Sequence, residues 1–293
     1  MFWKKKKPKR EQPVKKQIPK HIVDNLKWGE KLTEGVKTGI HQASEKTDRK
    51  KSAGKKPEKL SEPRKEFLKV FRQLAYRHNR GTVWNDFILM FSCALSNPVD
   101  KEHFDERESL YLQTIKRYNK QEQPLFSELA AHVVMALEQN PEQDFLGSIF
   151  MELNLGSEHK GQFFTPYHVC VLMAETTLED VVQRVQKDGY ISICDPCCGA
   201  GANLIAGVNA AKKKLEKEGL NFQNHILIAG QDIDMTVGLM CYIQLSLLGM
   251  AGYIKIGNTL TDPIAEDDSK ENYWFTPMYF SKVWTMRRLF RRL

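Results

Sequence analysis

The sequence contains no run of eighteen or more apolar residues, so it predicts no transmembrane helix. Its first residues, MFWKKKKPKR, carry charge with no apolar segment behind them, which is not the pattern of a secretory signal. Six cysteines are present, and without such a signal we expect them to be reduced and the protein to be cytoplasmic. We therefore expect neither a membrane protein nor a disulfide-stabilised secreted domain.

A second pair of metal ligands is also lacking. Cys194 and Cys197 have the C-x-x-C spacing of a zinc or redox site, but no further pair lies nearby with ligand-like spacing. A structural zinc site usually needs four protein ligands. We therefore predict no metal and favour the interpretation that small residues here line a ligand-binding loop.

Acidic residues are scarce in the first 60 positions. Residues 1–60 carry 19 Lys/Arg against 7 Asp/Glu, a net charge of +12, whereas the remainder carries 25 against 29, a net charge of −4. Residues 1–60 also have few periodic apolar positions, so we predict a disordered basic arm. Two interpretations stay open: the arm binds the phosphates of DNA, or it only keeps the chain soluble.

After the arm, the pattern of apolar and polar residues changes. In residues 63–156 five amphipathic segments predict a small helical domain, and EFLKVFRQLAYR places Phe67, Leu68, Phe71 and Leu74 on one helical face. In residues 157–265 the strands YISICD, HILIAGQDID and GYIKIGNTL alternate with helices. This alternation predicts an α/β fold with a Rossmann-like, parallel, doubly wound sheet of three or four strands. Residues 266–293 form an aromatic and basic tail.

Polar groups follow each predicted strand. Asp195 and a loop containing Gly199 and Gly201 follow the first strand, Asp232 and Asp234 end the second, and Asn258 ends the third. Ligands of such sheets bind at the carboxyl ends of the strands. We therefore expect these three clusters to meet at one edge of the sheet.

The loop lacks residues that nucleotide-binding loops need, and this limits the kind of ligand that it can bind. The Lys-Ser/Thr of a phosphate-binding loop is absent, and so is the third glycine of a dinucleotide fingerprint, which disfavours an NAD-type oxidoreductase. Asp195 would repel a pyrophosphate but accept from an ammonium group. Asp232, or second Asp234, could accept both hydroxyls of a ribose, and Asn258 could bind an adenine edge. These groups together describe S-adenosylmethionine.

Four motifs occur in an order that resembles a known family: GQFFTP, DPCCGAGANLIA, GQDID and GNTL. The chain is similar to the N6-adenine DNA methyltransferases that serve as modification subunits of type I restriction-modification systems. The resemblance implies DNA as a partner and S-adenosylmethionine as the cofactor, with the GQFFTP segment covering its methionine part. The predicted cofactor-binding residues are Gln162, Phe163, Phe164, Thr165, Pro166, Asp195, Pro196, Gly199, Gly201, Asp232, Asp234 and Asn258.

One element of that family is missing from the sequence. Its members carry an Asn/Asp-Pro-Pro-aromatic motif that accepts from the adenine amino group and stacks on the extruded base. No such motif follows Asp262 and Pro263 or occurs elsewhere. We expect a family member reduced to its cofactor half, with little catalysis alone and unknown catalytic residues. A partner protein would complete it, or the chain would be a non-catalytic, regulatory S-adenosylmethionine-binding subunit.

Overall fold

A computed structural model of the chain describes residues 62–155 and 164–291. Residues Lys59–Leu293 form one compact unit. The predicted arm, residues 1–60, lies outside the described residues. The predicted boundaries at residues 156 and 265 stay predictions.

Five helices lie in the first described range, residues 62–155. They are α1 (Pro63–Ala75), α2 (Arg80–Ser96), α3 (Phe104–Ile115), α4 (Gln123–Gln139) and α5 (Phe145–Glu152). Proline starts α1, where a missing N–H breaks no helical hydrogen bond. The side chain of Asn79 accepts from the backbone N–H groups of Gly81 and Thr82 at 2.9 and 3.2 Å and so caps α2.

The predicted apolar face of α1 is confirmed. Phe67, Leu68, Phe71 and Leu74 are all buried. The ring of Phe67 lies 5.6–6.4 Å from four other aromatic rings, contributed by α1, α2 and α5. Such aromatic contacts stabilise a core beyond the area that they bury, and here they join three helices into one layer.

The sheet has four strands in the order β1-β2-β3-β4 among the described residues. They are β1 (Ile191–Asp195), β2 (Ile226–Asp232), β3 (Ala251–Ile256) and β4 (Tyr273–Phe275). The first three strands are parallel, as predicted, with Cys194 beside Ala229 and Ala229 beside Tyr253. The fourth strand runs antiparallel to β3. The molecule is therefore a mixed α/β structure.

Six further helices accompany the sheet. They are α6 (Tyr167–Thr177), α7 (Val181–Asp188), α8 (Ala202–Lys217), α9 (Phe222–His225), α10 (Met235–Leu247) and α11 (Lys282–Arg291). The sequence predicts one helix where α6 and α7 lie. The structure ends α6 at Leu178, where the ammonium of Lys214 donates to the Leu178 carbonyl at 3.0 Å. A side-chain cation at freed helical carbonyls is a common way to end a helix.

The helical layer and the sheet share one hydrophobic core. Gln244 of α10 connects them, since its amide donates to Asp144 at 2.8 Å and to the Ala200 carbonyl at 2.9 Å. Its oxygen accepts from the N–H of Leu146 at 3.1 Å. This buried amide ties the start of α5 to the loop after β1, which is the loop predicted to bind a ligand.

Residues 266–293, predicted only as an aromatic and basic tail, contain regular structure. They form β4, a 3-10 helix over Pro277–Phe280 and α11. Tyr273 and Trp274 are buried, because β4 adds to the sheet beside β3. In the described part of the chain, no helix combines the length and the apolar character needed to cross a membrane.

Candidate functional site

The loop after β1 folds around Asp195. One carboxylate oxygen of Asp195 accepts from the N–H of Cys197 at 3.0 Å, and the other accepts from the side-chain amide of Asn203 at 3.3 Å. Gly199 and Gly201 have φ of +56° and +98°, which favour glycine. The sequence thus makes a tight turn that leads directly into α8.

Gly201 allows the loop to lie close to α10. A Cβ at this position would stand 2.7 Å from the Sγ of Cys241 and 3.4 Å from its Cα. No real side chain tolerates the first distance, so the neighbouring helix fixes the path of the loop.

Asp232, at the end of β2, is bonded to the same loop. Its two oxygens accept from the N–H groups of Gly199 and Asp234, each at 2.9 Å. Burial raises the pKa of Asp232, and the nearby carboxylates of Asp234 and Asp195 raise it further against the effect of the two N–H donors. The structure therefore brings the acids that end β1 and β2 to one loop, as the sequence predicts.

Asp234 caps a helix, whereas Asp232 does not. Its side chain accepts from the N–H of Val237 at 3.2 Å and so caps α10. A capping carboxylate satisfies backbone groups of its own helix. Of the two predicted ribose acceptors, Asp232 is thus the one that faces the loop.

Asn258 lies in the turn that follows β3. Its side-chain oxygen accepts from the N–H of Leu260 at 2.9 Å, and its carbonyl accepts from Asp262 at 2.8 Å. The oxygen is therefore engaged in the turn, and the amide nitrogen is the part of this side chain available for a ligand.

The segment before α6 is described in part. The ring of Phe164 covers the loop, because a Cβ on Gly199 would lie 3.5 Å from it, and it stands 5.7 Å from the ring of Phe150. Thr165 and Pro166 are exposed, and Pro166 immediately precedes α6. Gln162 and Phe163 lie outside the described residues.

Three residues at this edge were not predicted from the sequence. Asn203 holds Asp195, and its side-chain oxygen is buried without a hydrogen-bond partner among the described residues. Ile233 and Leu260 are apolar yet 69% and 92% exposed beside Asp232 and Asn258. The signal for Ile233 is its place between two acids, since an apolar residue there either packs inward or contacts a ligand.

The loop after β3 is fastened to the loop after β1. The hydroxyl of Thr259 donates to the Pro196 carbonyl, and the buried Gln231 donates to the Asp262 carbonyl at 2.8 Å. Lys255 is buried and donates to the carboxylates of Asp262 and Asp268 at 2.7 and 2.8 Å. The position of one loop therefore depends on the other.

Lys255 keeps its charge in spite of its burial. Burial alone lowers the pKa of a lysine, but the hydrogen bonds and charges of Asp262 and Asp268 outweigh it and raise the pKa. The same ammonium and the Tyr273 hydroxyl hold the pKa of Asp268 well below its usual range. Lys255 and these two carboxylates together support the loop after β3.

The cysteines in and around the loop after β1 differ in their exposure to solvent. Cys194 and Cys197 are exposed free thiols, and Cys198 and Cys241 are buried ones. Burial is the largest cause that raises the pKa of Cys194, followed by the charge of Asp195. Within the described ranges, no group of three or more His, Cys, Asp or Glu side chains is arranged to hold a metal ion.

The aromatic residues of β4 are not exposed for stacking on a base. Tyr273, Trp274 and Phe275 are buried in and around β4. Asp262, the carboxylate nearest in sequence to the end of β3, accepts from Lys255 and helps to hold its loop. These residues build the sheet and its adjoining turn.

The sequence model of the family described as N-6 DNA methylase matches residues 144–292, about half of the chain. The matched region includes α5, all four strands, the loop after β1 and the acids at the strand ends. A search of curated proteins returns no match. The chain belongs to the N-6 DNA methylase family.

Proposed function

We propose that the chain binds S-adenosylmethionine at the carboxyl ends of β1, β2 and β3, as a protein of the DNA adenine-N6 methyltransferase type. The hydrogen bond from Gly199 to Asp232 carries the proposal. It joins the glycine loop to the acid of the next strand, so that one ligand can contact both. Three parallel strands with their connecting helices support a Rossmann-like interpretation of the sheet.

The ammonium group of the ligand would lie at Asp195. Each oxygen of this carboxylate accepts one hydrogen bond from the loop or from Asn203. A carboxylate has about four acceptor positions, so further donors can bind. The unpartnered oxygen of Asn203 adds negative potential beside it. A cationic ligand fits this environment, and a pyrophosphate does not.

The ribose and the base would lie between the ends of β2 and β3. Asp232 accepts one hydrogen bond at each oxygen and keeps acceptor positions for two hydroxyl groups. Burial, followed by the charges of Asp234 and Asp195, raises its pKa, so hydroxyl donors would stabilise its charged form. Ile233 and Leu260 offer exposed apolar surface to a flat ring. The amide nitrogen of Asn258 can donate to a ring nitrogen of adenine.

The methionine part would pass beneath the segment before α6. Phe164 lies against Gly199 and closes one side of the loop. By resemblance, Gln162, Phe163, Thr165 and Pro166 belong to the same cover, and Pro196 and Gly201 shape the loop. When bound, the cofactor supplies an electrophilic methyl group on its sulfonium. The residues of this chain bind it, orient it and exclude water.

The family indicates DNA as the substrate, and we propose that the basic arm binds its phosphates. The described rim carries Asp195, Asp232, Asp234 and Asp262, which repel phosphate. The sequence has no Asn/Asp-Pro-Pro-aromatic motif. We therefore propose that methyl transfer needs a partner chain. The second candidate is a non-catalytic S-adenosylmethionine-binding subunit, which the same absence favours. A restriction-modification system is the proposed setting.

Isothermal titration with S-adenosylmethionine and with NAD tests the proposal. We expect saturable binding of S-adenosylmethionine and none of NAD, because both ligands carry adenosine but only NAD carries a pyrophosphate. Binding of NAD alone would assign the site to an oxidoreductase. Binding of neither would remove the cofactor assignment.

A further inference from the structure

Helix α11 is held against the protein by Trp284 and by two arginine side chains. The guanidinium of Arg287 donates to the Gly189 and Asn224 carbonyls at 2.9 and 3.2 Å, and that of Arg288 to the Tyr279 carbonyl at 2.8 Å. Trp284 is buried and donates to the Gln223 carbonyl at 2.8 Å. A surface helix usually turns its apolar side inward.

The outward side of α11 is apolar. Val283, Met286, Leu289 and Phe290 follow one another at helical spacings of three, three and one residues and form the α11 stripe. The four side chains are 36–64% exposed, with Phe290 the most exposed. Contiguous exposed apolar residues next to polar ones are typical of a site of protein interaction. Because the opposite side of the helix is fixed by four hydrogen bonds, the stripe is held facing outward.

An open pocket of about 600 Å³ adjoins the stripe. Val283, Met286 and Phe290 line one side of it, and Tyr190 and Asp188 line the other. A volume of this size receives several apolar side chains. The stripe and the pocket together therefore form a groove that an amphipathic helix can enter at intervals of three and four residues.

The exposed face of β1 continues this surface. Tyr190, Ser192 and Cys194 point to one side of the strand because side chains alternate. Ser192 and Cys194 are exposed. In the described sheet β1 has a neighbour on one edge only. A parallel sheet is usually covered on both faces, whereas Ser192 and Cys194 lie on a face of β1 that is exposed.

The charges around the groove are mostly positive. Lys282, Arg287 and Arg288 form no ion pair with a carboxylate among residues 62–155 and 164–291. Asp188 is the acid that lines the pocket. Residues 282–293 contain five Lys/Arg and no Asp/Glu. Cations beside an apolar stripe complement a ligand that has apolar anchors and carboxylates.

We infer that the α11 stripe and its pocket bind an acidic amphipathic helix of a partner protein. Nucleic acid does not fit, because phosphates gain nothing from the apolar stripe and both arginines are already bonded to carbonyls. A second copy of the chain would bring equal basic helices together. The arm of the same chain carries a net charge of +12 and is repelled for the same reason.

The size of the surface sets its expected strength. Helix α11 has ten residues and is therefore about 15 Å long. A contact of that length lies at the small end of specific interfaces, which is typical of transient complexes. We therefore expect an affinity that falls as salt is raised, since part of it comes from exposed charges.

Fluorescence anisotropy with a designed helix tests the inference. The probe is a labelled helix of about 18 residues with Leu at i, i+3, i+4 and i+7 and Glu beside them; a second probe has Lys in place of each Glu. We expect the full chain to bind the acidic probe at least tenfold more tightly than the basic one. Phe290→Glu should weaken binding of the acidic probe at least tenfold.

Matched variants separate the stripe from general surface effects. Leu172 is an equally exposed apolar residue on α6, so Leu172→Glu should leave binding unchanged. Lys282→Glu should weaken binding, whereas Lys217→Glu, at the exposed last residue of α8, should not. Circular dichroism checks that each variant is folded.

Several outcomes would overturn the inference. Equal binding of the two probes would remove the role of charge. Unchanged binding by Phe290→Glu would remove the stripe. A dimer in sedimentation that Phe290→Glu dissociates would make a second copy the occupant. Anionic vesicles bound through Phe290, with no binding of the acidic probe, would make it a lipid surface.

Discussion

Asp195 holds its own loop and is the proposed partner of the ammonium group of the ligand. Asp195→Ala should weaken binding of S-adenosylmethionine by about 1.5–3 kcal/mol, the scale of a hydrogen bond to a charged group. The variant also loses the loop contacts to Cys197 and Asn203. Titration with methylthioadenosine, which has no ammonium, measures that second effect and should change much less. Asp180→Ala, an exposed acid on the approach to α7, is the control. Equal losses for both ligands would remove the ammonium from Asp195.

Gly201 offers a test of the loop in the folded protein itself. Gly201→Ala should lower the free energy of unfolding by about 2–4 kcal/mol, from the positive φ and from the contact with Cys241. Gly219 also has a positive φ, +70°, but open space around it, so Gly219→Ala should show only the backbone part. Urea unfolding gives both values. Cys241→Ala should recover part of the Gly201→Ala loss, and no recovery would mean that the contact does not limit the loop.

At the scale of elements, the parallel strands were predictable because their patterns are local. YISICD and HILIAGQDID are apolar runs that end in acids, and α1 has a clear helical face. The separation of α6 from α7 was not predictable, because it depends on Lys214, which comes from another helix. The strand β4 was missed because three aromatic residues become a strand only by pairing with β3.

The same distinction holds for the candidate site. Asp195, Asp232 and the glycines could be predicted because they directly follow strand patterns in the sequence. Asn203, Ile233 and Leu260 do not, since their exposure and contacts exist only in the fold. The buried Lys255 is a further example, because a lysine in a strand pattern predicts an exposed position.

The ion pair between Lys255 and Asp268 predicts how the stability of the protein depends on pH. A carboxylate whose pKa is depressed in the folded state, like Asp268, contributes stability that is complete above its ordinary pKa near 4. That contribution is lost as the pH falls through the folded value. Lys255→Met should therefore lower stability at pH 7 and flatten the decline in stability below pH 4. Lys270→Met is the matched control. Thermal unfolding from pH 2 to 7 measures this, and parallel curves would exclude the ion pair.

For the whole molecule, the described surface divides by charge. The carboxyl ends of the strands are acidic, and α11 near the start of β1 is basic, about 16 Å away along β1. The acidic end suits a cationic cofactor, and the basic, apolar helix suits a partner. The aromatic residues of β4 are buried and therefore offer no platform for stacking a base.

We expect little catalysis by the isolated chain. Transfer to adenine N6 needs the amino group in line with the methyl group and an acceptor for its hydrogen bonds. The sequence lacks the family's acceptor motif, and Asp262 is held by Lys255. We therefore expect the purified chain to bind S-adenosylmethionine and to transfer little or no tritiated methyl to adenine-containing duplex or single-stranded DNA. Turnover that Asp262→Ala abolishes and Asp267→Ala does not would instead make Asp262 the acceptor.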